Sequence, residues 1–272
     1  MTSNTDKAQQ PAAAARSLFD NRGMRVGGSV YQAAGNQYIG SAHATGGGTA
    51  SVVNYFGRAP APAAPPPAPP SVALLFLAAN PLDTPRLRVD QEARRVDQAL
   101  RLARHAHRFQ LAQQWAVRGD ELLDALLRHR PALVHFAGHG DQAGQLILED
   151  AAGRAAPVQP DALAALVAAA DTVRCAVLNA CWSDALADAL LGVTACVVGM
   201  AGEVGDEAAI AFAAGFYRAL ADGETVAAAV AAGEAQARAE SRAAGELLAP
   251  RLRAAPGVDP GLVRLYERYR SE

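Results

Sequence analysis

A chain of 272 residues has room for one large domain, or for one medium domain with appendages. It is 51% hydrophobic, which is ample for a core, and 25 Lys and Arg against 27 Asp and Glu leave a formal net charge of -2. With no run of like charge, a DNA-binding arm and a membrane-surface patch are excluded, so neither a nucleic-acid nor a membrane partner is expected.

The N-terminus, "MTSNTDKAQQ", lacks a basic start followed by an apolar stretch, so no secretory signal is expected. Residues 1–58 form a first region. Its glycine-rich part, "GGSVYQAAGNQYIGSAHATGGGTASVVNYFG", carries too few large apolar side chains for a core of its own. The short pieces "SVYQ", "NQYIG" and "SVVNYFG" are β-prone and suit stacking between copies. The region is either a disordered tail or an amyloid-like assembly element. A proline-rich linker follows at residues 59–70, "APAPAAPPPAPP", with seven prolines in twelve residues. Such a run favours polyproline II and spans roughly 37 Å as a semi-rigid spacer.

From residue 71 to 272, strands and helices alternate. "VALLFLAA" (72–79) predicts a buried strand. "RLRVDQEARRVDQALRLA" sets Leu87, Val96, Leu100 and Leu102 among charges and predicts an amphipathic helix. "RFQLAQQWAV" predicts a second strand, and "DELLDALLRH" a helix capped by Asp120. "ALVHFAG" is a third strand, "GQLILED" an excursion beside it, and "PDALAALVAAA" a helix. "VRCAVLNA" and "TACVVGMA" complete the main strands, ahead of long helices near 206–221 and 224–240. The uncharged run between Asp188 and Glu203 is too short to cross a bilayer and holds three glycines, which fits a buried strand with its turns. Repeated strand–helix–strand units predict a mostly parallel sheet with helices on both faces. Chemistry in such sheets gathers outside the carboxyl ends of the strands.

Two strands end there on reactive side chains: "LVHFAGHG" on His139 and "AVLNACW" on Cys181. A thiol needs help to become a nucleophile, and an imidazole in the same cleft can take its proton and pass it to a leaving amine. Gly138 and Gly140 let the backbone approach a substrate, and the amides of Gly140 and Cys181 are candidate oxyanion donors. His135 is expected to be a hydrogen-bonded core or site-wall histidine, with Cys175 and Cys196 in the core. Three cysteines without a CxxC indicate a reduced, cytoplasmic protein with no metal site and no cofactor. Trp182 and Ser183 either line the substrate groove or simply pack. Asn80 either lies near the site or shapes the turn before Pro81.

"HFAGHG" followed by "LNACWS" resembles the His-Gly and Ala-Cys signatures of caspase-like cysteine peptidases, and more closely those of the bacterial CHAT branch. The opening "LFLAANPLDTPRLRVDQEARRV", the approach "WAVRGDELLDALLRHRPALVHFAGHG" and the late "VVGMAGEVGDEAAIAFAAGFYRALADGETVAAAV" extend the likeness over most of 72–240. The resemblance implies an α/β fold, a caspase-like three-layer sandwich with a mostly parallel central sheet flanked by helices. It also implies His139 as acid/base and Cys181 as nucleophile. Relatives that cut after Arg or Lys often carry an aspartate two residues before the cysteine. Asn179 stands there instead, while Asp206 is either a second source of charge or a helix cap.

The function expected is that of a cysteine endopeptidase cleaving a protein partner, as effector of a bacterial defence or stress-signalling system. A catalytically silent caspase-like scaffold or adaptor is the alternative. A nucleotide-binding module is disfavoured because no GxGxxG follows the first strand, which ends in "AANP". The N-terminal segment is also similar to the short amyloid-like motifs that bacterial signalling proteins share with a receptor, so a receptor or further copies of the chain are expected partners.

Overall fold

A computed structural model describes residues 31–33, 37–39, 71–240 and 249–266. The chain divides into two units between Pro67 and Ala68, inside the proline-rich run. In the first unit, β1 (Tyr31–Ala33) pairs antiparallel with β2 (Gln37–Ile39), Gln32 opposite Tyr38. The β-prone piece "SVVNYFG" lies outside the described residues, as does the proline spacer.

The second unit is built on a six-stranded sheet. In chain order its elements are β3 (Val72–Ala78), α1 (Val89–Leu102), β4 (Phe109–Gln114), α2 (Leu122–His129), β5 (Leu133–Ala137), β6 (His139–Gly140), β7 (Leu146–Glu149) and β8 (Ala155–Val158). These are followed by α3 (Pro160–Ala170), β9 (Cys175–Asn179), α4 (Ala187–Leu190), β10 (Cys196–Met200), α5 (Asp206–Ala221), α6 (Val226–Glu240) and β11 (Pro250–Ala254). The sheet order is β11-β10-β9-β5-β3-β4, all parallel except β11, which runs antiparallel to β10. The protein is thus an α/β sandwich with a mostly parallel central sheet between two helical layers.

Side-chain alternation along the strands divides the core. Leu74 and Phe76 of β3 face a cluster with Val96, Phe212 and Phe216, on the side of α1, α5 and α6. Leu75 and Leu77 face the other cluster, with Leu122, Leu126, Val167 and Leu190 from α2, α3 and α4. Because both faces are covered, β3, β5, β9 and β10 read as near-continuous apolar runs rather than alternating ones. The helix α5 is buried along most of its length, Phe212, Phe216 and Tyr217 included, and enclosing one phenylalanine ring is worth roughly 1.5–3 kcal/mol. It meets α6 at Gly215 and Gly233, where an added Cβ would lie 2.8 Å from the Ala232 carbonyl oxygen and 2.7 Å from the Phe212 ring respectively.

Several local expectations need correcting. The first helix starts at Val89, so Leu87 lies in the preceding loop, and Leu102 points to solvent at 62% exposure. Asp120 does not cap α2: Glu121 holds the N-cap position without a side-chain capping bond, its carboxylate receiving Arg118 instead, and Asp120 lies 3.5 Å from Arg118. A 3₁₀ turn over Ser183–Leu186 and the short α4 precede β10, and neither was expected from the sequence. The excursion "GQLILED" is β7, the middle strand of a separate three-stranded antiparallel sheet with β6 and β8. Among the described residues no helix is long and apolar enough to cross a membrane.

Candidate active site

Strands β5 and β9 are adjacent, with Ala137 opposite Asn179, so His139 and Cys181 each stand two residues past this pair. Their backbones then converge. A Cβ on Gly140 would collide with the carbonyl oxygen of Cys181, and one on Gly138 would lie 2.8 Å from the Ala79 carbonyl and 2.9 Å from the Phe136 ring. Only glycine permits this exit from the sheet.

The turn that carries Cys181 is held by the residue two further on. Ser183 Oγ lies 2.7 Å from the carbonyls of Leu178 and Ala180 and accepts from the Met200 amide at 2.9 Å. Ser183 is therefore a buried brace and not part of a groove wall. Trp182 takes a left-handed conformation with φ 57°, uncommon for a bulky residue, and its amide donates to the Gly202 carbonyl at 3.1 Å. This tight reversal leaves Cys181 half-buried at its apex. The Sγ atom accepts a 3.4 Å hydrogen bond from the Val204 amide.

On the other side, His139 Nε2 lies 2.8 Å from the carbonyl oxygen of Pro85, an acceptor, so this nitrogen carries the proton and Nδ1 keeps its lone pair. No hydrogen bond joins the His139 ring to Cys181 among the described residues. Asn80 shapes the loop that presents Pro85. Its Nδ2 donates to the Leu87 carbonyl at 3.0 Å, its Oδ1 accepts from the Leu87 amide at 3.2 Å, and its own amide donates to Glu149 Oε1 at 2.9 Å. The amides at the site are available. Asp141 N–H bonds the Gln145 carbonyl, which makes 139/147 and 141/145 the hydrogen-bonded pairs of the β6–β7 ladder. The Gly140 N–H consequently points away from β7. The Cys181 amide has no hydrogen-bond partner among the described residues.

The remaining candidates sit elsewhere. Asn179 is 5% exposed and lies under the site, donating from Nδ2 to Glu92 Oε1 at 2.5 Å and to the Ala209 carbonyl at 3.1 Å. Both partners are acceptors, so the amide orientation is determined, and Oδ1 is buried without a partner. Asp206 is the first residue of α5, after Gly205 as N-cap, so it is not the cap. Its carboxylate receives Arg88 Nε at 2.6 Å and the Arg88 amide at 3.3 Å, which ties α1 to α5 and leaves no free charge. His135 is fully buried and hydrogen-bonded; Cys175 and Cys196 are core residues, and burial pushes both thiols up. A surface cavity of about 710 Å³ lies between α1, α5 and α6 and touches none of these groups.

Three participants escaped the sequence: the Pro85 carbonyl, the Val204 amide and Glu92. The first two are backbone groups with no side-chain signal. Glu92 had one, since it falls on the apolar stripe Val89, Ala93, Val96 and Leu100, where an acid is out of place.

The chain belongs to the CHAT domain family, whose model matches residues 6–256. Among solved structures, caspase-1 from Spodoptera frugiperda is similar at a TM-score of 0.51 and 11% identity, over 74% of this chain and 92% of that one. A secreted C11 cysteine protease from Bacteroides thetaiotaomicron, solved with an irreversible peptide inhibitor, gives a TM-score of 0.46 and 14% identity over 59% of this chain. The match spans 57% of that protease's length. No curated protein matches the sequence.

Proposed function

We propose that the protein is a cysteine endopeptidase with a His139/Cys181 dyad. The observation that carries this reading is the convergence of the two strand ends, with His139 Nε2 tied to the Pro85 carbonyl and Nδ1 left as a base. In the proposed reaction Nδ1 takes the thiol proton and Sγ attacks the scissile carbonyl carbon. The Val204 N–H already directed at sulfur strengthens its bond as charge develops there. The free amides of Gly140 and Cys181 stabilise the oxyanion. The imidazolium then protonates the leaving amine as the C–N bond breaks, and water hydrolyses the resulting thioester with the imidazole again acting as base.

For the residue preceding the cut, a small or apolar side chain is expected. Asn179 is neutral and engaged below the site, and Asp206 is paired with Arg88, so neither offers a free carboxylate to a cation. The biological reading is cleavage of a protein partner as the output of bacterial defence or stress signalling, with residues 1–58 assembling copies or engaging a receptor. The antiparallel β1–β2 pair supports the strand-forming character of that segment. The deciding experiment is labelling and turnover with a positional peptide library. Cleavage and thiol labelling that vanish in Cys181→Ala support the peptidase, and cleavage that persists in that variant refutes it.

A further inference from the structure

Beneath the two strand ends lies a buried polar cluster to which the peptidase chemistry assigns no role. Glu92, in the first turn of α1, is 4% exposed, and His135 on β5 and Tyr217 on α5 are fully enclosed. One atom joins the strands. Glu92 Oε1 lies 2.5 Å from Asn179 Nδ2 and 2.8 Å from His135 Nε2. His135 Nδ1 lies 2.9 Å from the Tyr217 hydroxyl. Burial, reinforced by Cys175 and Glu92, pushes the Tyr217 phenol well up, so it meets the His135 ring as a neutral hydroxyl. The ring is also stacked on Phe76, 4.7 Å between centroids and 7° from parallel, so its tilt is not free.

Stability does not account for such a cluster. Among the described residues Glu92 meets His135 and no arginine, and a buried pair of this kind is often no more stable than apolar side chains of the same volume. What the polar set adds is direction. Asn179 stands two residues before Cys181, and His135 four before His139. Asn179 also reaches the Ala209 carbonyl of α5. The helix that carries Glu92 begins four residues after Pro85, whose carbonyl receives His139 Nε2.

We infer that Glu92, acting through Oε1, is a positioning residue for the dyad. It holds the nucleophile strand, the base strand and the Pro85 loop in one frame, so that His139 and Cys181 meet in reactive register. This rests on the peptidase reading. What matters is an acceptor at that point: Glu92→Gln retains it and Glu92→Ala removes it.

The test compares full-length Glu92→Gln, Glu92→Ala and Asn179→Ala with the parent. It reads kcat and KM on the best library peptide, and the rate at which iodoacetamide alkylates Cys181, followed by mass spectrometry. Glu92→Ala and Asn179→Ala are expected to lower kcat by about 10²-fold, with KM within about threefold, and to slow alkylation. Glu92→Gln is expected to stay within about threefold of the parent on both readouts. If Glu92→Ala fails to fold, Asn179→Ala decides alone, since it also removes a buried oxygen that had no partner. An active parent whose folded alanine variants keep kcat and alkylation within about threefold overturns the inference, as does Glu92→Gln being as impaired as Glu92→Ala. A parent that neither cleaves peptide nor alkylates faster than a free thiol overturns the peptidase reading instead, and this inference with it.

Discussion

At the residue scale, the proposed peptidase chemistry depends on two half-buried side chains whose removal should leave the fold alone. Cys181→Ala and His139→Ala are each expected to lower kcat/KM by at least ~10³-fold, the double variant losing little more, because the pair acts as a unit. Circular dichroism and melting temperature should match the parent. Gly140 is a stricter case. Its missing Cβ is what lets the histidine segment lie against the Cys181 carbonyl. Gly140→Ala should therefore abolish activity with both dyad residues present, and a fully active alanine variant would contradict the convergence described above. Selectivity belongs here too: a library scan should return small or apolar residues at the cleavage position, and a dominant preference for Arg or Lys would show an acidic group at work that neither Asn179 nor Asp206 supplies.

At the element scale, two helix features have measurable consequences. Arg130 closes α2 at φ 40°, a left-handed conformation that favours glycine. Arg130→Gly is expected to stabilise the protein by up to ~1 kcal/mol in urea unfolding, the relief of the left-handed backbone exceeding the entropy glycine adds to the unfolded chain. Asp222, just after α5, links that helix to the end of α1. Burial disfavours its charge, but the Arg104 amide and the Arg218 guanidinium outweigh it and hold the carboxyl below its ordinary value. A depressed carboxyl contributes stability that is present above its unfolded pKa and is lost as pH falls through the folded one. The stability gap between parent and Asp222→Asn should thus be full near neutrality and close on acidification below about pH 4. Denaturation curves at several pH values check the sign.

At the scale of the whole molecule, the open question is what residues 1–58 add to the sheet domain. Stacked copies would raise the local concentration of active sites, and a proline spacer would keep them apart. Deletion of residues 1–58 should leave peptide turnover by the isolated domain unchanged, abolish assembly in sedimentation, and remove the response to the activating signal. A truncated chain that responds like the full-length one would rule out the assembly role.

Alternation of apolar strands with amphipathic helices, and two strands stopping just short of His139 and Cys181, were legible in the sequence alone because burial on both faces of a parallel sheet writes continuous apolar runs. The helices α5 and α6 were legible for a related reason, since their length and composition exceed anything a strand would use, although α6 starts at Val226 and not at 224. Tertiary structure alone decided what those runs met. The Pro85 carbonyl and the Val204 amide are backbone groups identical in every sequence, so only folding could bring them to the histidine and the thiol. Asn179 and Asp206 were legible as polar residues near the site, but their partners Glu92 and Arg88 lie 87 and 118 residues away along the chain. A side chain's chemical type is local information. Whether it faces substrate or is already satisfied from within depends on packing between distant elements, which no local pattern records.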